Sequence, residues 1–121
     1  MKALVVDDSK MMRKMLDHFL RELSFETVLA EDGVDGVEKL KASSPLDIVL
    51  VDWDMPNMNG LEFVETVRKE EQFKELKILM VTSHNTMDDV VTAMSTGIDD
   101  YLMKPVDEVA LSEKLKGLGV I

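Results

Sequence analysis

The chain contains no cysteine, which excludes disulfides, thiol catalysis and cysteine-based zinc sites. Nor is it basic: 14 Lys and Arg stand against 24 Asp and Glu, a formal net charge of −10. Nucleic acid and anionic membrane both recruit clustered Lys and Arg, so neither is expected as a direct ligand. No apolar run approaches the roughly 18 residues of a membrane span. The opening Met1-Lys2-Ala3-Leu4-Val5-Val6 meets two aspartates too early for a signal peptide. Repeats, low-complexity stretches and linkers are not seen. What remains is 121 residues with 45% hydrophobic and 31% charged content, the size and make-up of one soluble domain over residues 1–121. A cytoplasmic location is expected.

The informative feature is how the hydrophobic runs end. ALVV (3–6) meets Asp7-Asp8, and IVLV (48–51) meets Asp52-Trp53-Asp54-Met55-Pro56. ILMV (78–81) stops at Thr82-Ser83, and Tyr101-Leu102-Met103 stops at Lys104-Pro105. Short apolar runs bounded by turn residues, with helix-period sequence between them, read as buried parallel strands. ETVLA (26–30) adds another. In open α/β sheets, ligands bind beyond the carboxyl ends of such strands. Three acids, a hydroxyl and a lysine therefore converge on one sheet edge, a site for a divalent cation and a phosphoryl group.

Between the strands, Ser9 can cap a helix with Met12, Met15, Leu16, Phe19, Leu20 and Leu23 on one face. Asp32-Gly33 opens a second with Val34, Val37 and Leu40 inward, stopped by Ser43-Ser44-Pro45. The turn-rich loop from Asp54 to Gly60 leads to a third carrying Leu61, Val64 and Val67. A fourth carries Met87, Val90, Val91 and Met94 and ends at Gly97; the last shows Leu111, Leu115 and Leu118 and frays at Gly117 and Gly119. Most of the ten methionines fall on these stripes and are assigned to the core. The expected fold is α/β, a (βα)5 doubly wound parallel five-stranded sheet. A flavodoxin-like strand order 2-1-3-4-5 sets strands 1 and 3 side by side, about 4.8 Å apart. Order 3-2-1-4-5 would separate them and weaken the site.

Gathering carboxylates is costly: two unit charges at about 4 Å repel by about 4 kcal/mol at an effective dielectric of about 20. A fold keeps such a cluster only if something positive offsets it. Magnesium, which takes oxygen ligands and is commonly held by one or two carboxylates plus phosphate oxygens, fits. Each residue alone has a blander reading. Asp7 or Asp8 alone can cap the first helix, though Ser9 is available for that. Lys104 alone is a snorkelling surface lysine, and Thr82 alone means little. His18 reads as a helix-surface residue and His84 as a solvated loop residue.

Taken together and in this order, Val5-Val6-Asp7-Asp8-Ser9, Asp52-Trp53-Asp54-Met55-Pro56-Asn57-Met58-Asn59-Gly60, Thr82-Ser83 and Tyr101-Leu102-Met103-Lys104-Pro105 resemble a response-regulator receiver domain, most closely its single-domain, CheY-like members. The resemblance spans the whole chain. It implies that Asp52 is the phosphoacceptor of a two-component system, taking a phosphoryl group from a phosphohistidine on a sensor histidine kinase. It implies Mg2+ held by Asp8 and Asp52, by Asp7 through water, and by the Asp54 backbone carbonyl. Lys104 would pair with the phosphoryl oxygens, Thr82 would hydrogen-bond one of them, and Pro105 would follow a cis Lys104-Pro105 bond. Thr82 and Tyr101 would form a switch pair, Tyr101 turning inward on phosphorylation. The face built from the fourth helix, fifth strand and fifth helix would then change its affinity for a partner. Asp54, Ser83 and His84 occupy positions that tune phosphoryl lifetime.

The output implied is binding in trans by a monomer, with the flagellar motor switch of a chemotaxis relay ahead of a histidine phosphotransfer protein in a phosphorelay. The protein would catalyse its own phosphorylation and dephosphorylation without turning over external substrates. Asp52-Trp53-Asp54 also resembles the nucleophile loop of haloacid-dehalogenase-type phosphatases. The Met55-Pro56 that follows departs from that pattern, and the chain has no room for a cap.

Overall fold

The computed structural model describes residues 1–121. Strands β1 (Lys2–Val6), β2 (Glu26–Ala30), β3 (Ile48–Val51), β4 (Lys77–Thr82) and β5 (Asp100–Met103) alternate with helices α1 (Lys10–Glu22), α2 (Gly33–Ser43), α3 (Gly60–Arg68), α4 (Met87–Ser95) and α5 (Glu108–Gly117). A single 3-10 turn, Glu71–Phe73, lies between α3 and β4 and was not anticipated from the sequence. The five strands are parallel in the order β2-β1-β3-β4-β5, as the acid pattern required.

Strand periodicity divides the core in two. Leu4, Val6, Val49, Val51, Ile78, Met80 and Tyr101 face one side, beneath Leu40 of α2, Phe63, Val64 and Val67 of α3 and Ala93 of α4. Ala3, Val5, Ile48, Leu50, Leu79, Val81 and Leu102 face the other, beneath Leu16 and Leu20 of α1 and Leu111 and Leu115 of α5. Both faces are covered, so the strands read as continuous apolar runs rather than alternating ones. Every helix begins on a side-chain cap: Ser9, Asp32, Asn59, Thr86 and Asp107 each accept a backbone N–H of the first turn. Each such cap stabilises by about 1 kcal/mol.

Three inward faces differ from the sequence expectation. Val34 of α2 is exposed, and Gly33 and Gly36 lie inward instead. A Cβ on Gly36 would come within 2.9 Å of the Phe63 ring and 3.0 Å of Val6, so the helix lies too close to the sheet for any side chain. Phe63, absent from the predicted stripe of α3, is fully buried there, while Leu61 is only partly covered. The α4 stripe is rotated: Ala93 is buried and Val90 partly so, but Met87, Val91 and Met94 are 76%, 60% and 44% exposed. The small Ala93 is the residue facing the sheet, which leaves the bulkier apolar residues at the flank. The assignment of most methionines to the core holds for half of them: Met80 is buried and Met12, Met15, Met55 and Met58 pack partly buried against the core, but Met1, Met11, Met87, Met94 and Met103 are exposed.

Gly60 places the start of α3 directly against the end of β3. Its N–H donates to the Trp53 carbonyl at 2.8 Å, and a Cβ there would overlap the Asp52 carbonyl oxygen. That neighbour is backbone and has little freedom to yield. Gly60→Ala should therefore cost about 1–3 kcal/mol of unfolding free energy in urea titration, in the range of overpacking substitutions. Gly117→Ala, with open space around the new methyl group, should instead stabilise by about 0.4–1 kcal/mol. Equal effects at the two positions would contradict this account of the contact.

Candidate functional site

The parallel register fixes the site. Val6 pairs with Val51, and the ladder runs one residue further, with the Asp7 N–H on the Ala30 carbonyl and the Asp52 N–H on the Val6 carbonyl. Asp7 and Asp52 thus leave neighbouring strands at the same level. On the far side, Thr82 pairs with Met103, and the Lys104 N–H donates to the Thr82 carbonyl at 2.9 Å. The Lys104-Pro105 peptide is cis, as expected, and so is Ser44-Pro45, which was not anticipated.

Asp7, Asp8 and Asp52 bring carboxylate oxygens within 4.8 Å of one another, with Asp7 and Asp52 buried and Asp8 exposed. The Lys104 ammonium reaches across to Asp52 Oδ2 at 3.1 Å and Asp7 Oδ2 at 3.4 Å. The second oxygen of Asp52 accepts the Trp53 N–H at 2.7 Å, and that of Asp7 accepts the Ser9 N–H at 2.8 Å. Arg13, which the sequence reading overlooked, donates to the Asp7 carbonyl at 2.6 Å. An all-oxygen, charge-dense donor set open on the Asp8 side suits a hard divalent cation and not a soft one. The largest surface groove, about 560 Å³ between the α2–β3 and α3–β4 connections, lies at the other end of the strands and holds none of these residues.

The charges are unevenly settled. Burial pushes the Asp7 carboxyl above its ordinary range and the Asp52 charge adds to this, against the Ser9 N–H and the Lys104 ammonium. Burial alone would lower the Lys104 pKa, but the Asp52 and Asp7 carboxylates outweigh it and hold the ammonium charged. Lysine thus occupies part of the positive position that a metal shares with it.

The predicted switch and tuning residues meet in the β4–α4 loop. Thr82 is buried, and its hydroxyl oxygen accepts the His84 N–H at 3.3 Å. Tyr101 is only 7% exposed and its hydroxyl donates to the His84 carbonyl at 2.6 Å, so it already points inward. Burial, followed by the charges of Asp89, Asp52 and Asp54, raises the Tyr101 pKa. His84 is not the solvated residue expected. Its ring stacks on Trp53 at 4.1 Å and 17°, with Nε2 2.8 Å from Asp54 Oδ2 and Nδ1 3.3 Å from Asp89 Oδ2. Burial opposes its charge, but the Asp54 and Asp89 carboxylates prevail and its pKa is raised. The Asp54 side chain turns outward to this histidine, and Ser83 and His18 are exposed.

Residues 3–116 match the response regulator receiver domain. The chain belongs to that family. It is 44% identical over 117 residues to the chemotaxis protein CheY1 of Helicobacter pylori, covering 96% of this chain and 94% of that protein. It is 40% identical to a CheY homologue of Campylobacter jejuni, covering 96% and 90%. Among solved structures, Vibrio cholerae CheY4 superimposes with a TM-score of 0.91 at 32% identity over 97% of each chain. The protein is therefore a two-component response-regulator receiver domain closely related to CheY, a class served by a histidine kinase phosphodonor and an output partner.

Because the folded-state pKa of Asp7 lies above its unfolded value, ionising it costs stability. That cost is absent below the unfolded pKa and grows as pH rises through the folded one. Asp7→Asn in chelator should therefore melt at a higher temperature than the parent at neutral pH, the gain shrinking as the buffer is taken toward pH 4. A variant that melts lower at neutral pH would make Asp7 a structural acid.

Proposed function

We propose that Asp52 accepts the phosphoryl group and that this receiver serves a chemotaxis relay, with Lys104, Thr82 and the acids Asp7 and Asp8 as the supporting set. The observation that carries this reading is the position of Asp52: it is buried at the end of β3, with Lys104 and the Trp53 N–H on its two oxygens and two further acids beside it. A carboxylate oxygen of Asp52 attacks the phosphorus of a kinase phosphohistidine. The new O–P bond forms as the P–N bond breaks, and its electron pair leaves with the imidazole. Lys104 needs only a small shift to pass from the carboxylate to the phosphoryl oxygens, and Thr82 offers its hydroxyl from the neighbouring strand end. Asp7, Asp8, Asp52 and the Asp54 carbonyl would hold Mg2+, which supplies positive charge against the phosphoryl oxygens when bound. The chain's own contribution is placement and charge neutralisation.

The relatives named as chemotaxis proteins support a chemotaxis relay, for which the flagellar motor switch is the output partner proposed here. The exposed Met87, Val91, Met94 and Met103 of α4 and β5 supply apolar surface on the face that such a partner would read. No helix is long and apolar enough to cross a membrane, in keeping with a diffusible messenger. The phosphorelay and phosphatase alternatives have no comparable observation behind them.

With magnesium and acetyl phosphate, intact mass should show one phosphoryl group per chain and no steady turnover of phosphate esters. Asp52→Asn should take up none. Lys104→Ala, which removes one preorganised cation, should slow uptake by about a hundredfold. Trp53, the only tryptophan, adjoins the acceptor, and its emission should change with both magnesium and phosphodonor. Phosphorylation that survives Asp52→Asn would move the acceptor elsewhere.

A further inference from the structure

The seam between α4 and the acceptor loop is bridged by His84. Of the α4 residues only Ala93 is buried, so apolar packing fixes this helix weakly. The polar connection at its first turn runs through one side chain. The His84 ring lies on the Trp53 ring, between Asp54 of the acceptor loop and Asp89 of α4. The main chain of the same residue receives the Tyr101 hydroxyl and donates to Thr82. Fixing the ring therefore fixes the carbonyl on which the inward position of Tyr101 depends. Hydrogen bonds to ionised carboxylates are roughly twice as strong as neutral ones, and a stacked aromatic face adds to them.

We propose that His84 is a positioning residue that holds Tyr101 inward before any phosphoryl group arrives, by clamping the β4–α4 loop between Asp54 and Asp89 against Trp53. The inference rests on the phosphoacceptor reading of Asp52 and deepens it. On that reading the inward arrangement is the one that a phosphoryl group would select, so a clamp that populates it in advance would raise the apparent affinity of the site for that group. By the same relation, removing the clamp lowers the affinity by the fraction of inward state lost.

Tyr101 is the only tyrosine, so 3-fluorotyrosine labelling gives a single 19F resonance for its position. Beryllofluoride with magnesium serves as the phosphoryl probe, its affinity read by calorimetry. The parent should show a buried tyrosine signal without the probe. His84→Ala should shift that signal toward solvent, recover it when the probe is added, and bind the probe about tenfold more weakly. Asp89→Asn, which leaves the Asp54 and Trp53 contacts in place, should fall between the two and keeps the test open if His84→Ala is poorly folded. His84→Arg, whose planar cation can stack on Trp53 and reach both carboxylates, should restore both readouts. An unchanged tyrosine signal and unchanged affinity in His84→Ala and Asp89→Asn, in a parent that binds the probe, would overturn the clamp alone. A parent that does not bind beryllofluoride would overturn the phosphoacceptor reading, and the clamp with it.

Discussion

Everything in this receiver turns on a lysine ammonium held between two buried carboxylates. Lys104 reaches Asp52 and Asp7 from the opposite side of the sheet edge, and those acids stand together only because β1 and β3 are neighbours. Without the crossover that puts β3 beside β1 there would be no shared site. Without the lysine, two buried anions would face each other uncompensated. The ammonium offsets them incompletely: Asp7 is still pushed toward its neutral form. On the proposed reading, a further cation and a phosphoryl group would therefore enter a site with negative charge in excess and one lysine ammonium already beside the acceptor.

This arrangement was legible in the sequence because its determinants are local. A strand ends where its apolar run ends, and Asp7, Asp52, Thr82 and Lys104 each sit at such a break. Parallel pairing then lines the breaks up, so naming the strands and their order sufficed to assemble the site. Two helix starts were readable for the same reason, Ser9 as a cap and Asp32 at the opening of α2, whereas the caps Asn59, Thr86 and Asp107 were not singled out. What escaped depends on distances between elements. Gly36 occupies an inward position because α2 approaches Val6 and Phe63 too closely for a side chain, which no periodicity reveals. On α4, four apolar residues at helical spacing suggested a core face, but the small Ala93 faces the sheet and the helix turns accordingly. His84 was misread because its partners come from two other segments, Asp54 on one loop and Asp89 one turn into the next helix. A histidine two residues beyond a strand end, with an acid in the following first turn, was the only signal available.

The contrast among the helices has a mechanical meaning. α1, α3 and α5 are fixed by buried Leu, Phe and Val side chains, and the end of α3 is tied down further by Arg68, whose guanidinium binds the carbonyls of Phe73, Leu76 and Gly97 and the carboxylate of Asp99. Moving any of these would expose core or strand buried polar groups. α4 has neither constraint at its amino end. Segments with little buried apolar contact open at low free energy, and moving elements are drawn from them. The chain has therefore placed its least firmly packed helix next to the proposed phosphoacceptor.

A phosphoryl group on Asp52 can shift such a helix only by as much as it prefers one arrangement over the other. Tyr101 shows where that preference can act. Its ring is buried and its hydroxyl is bonded to the His84 carbonyl, so the inward state already carries contacts of its own. Burial first, and then the charges of Asp89, Asp52 and Asp54, raise the pKa of that hydroxyl. On the proposed reading, added negative charge at Asp52 would act in the same direction and would draw Lys104 and Thr82 toward the acceptor. Asp52 thus bears on both ends of the proposed switch: it would take the phosphoryl group, and its charge is among those that disfavour ionising the hydroxyl that links Tyr101 to the loop leading into α4.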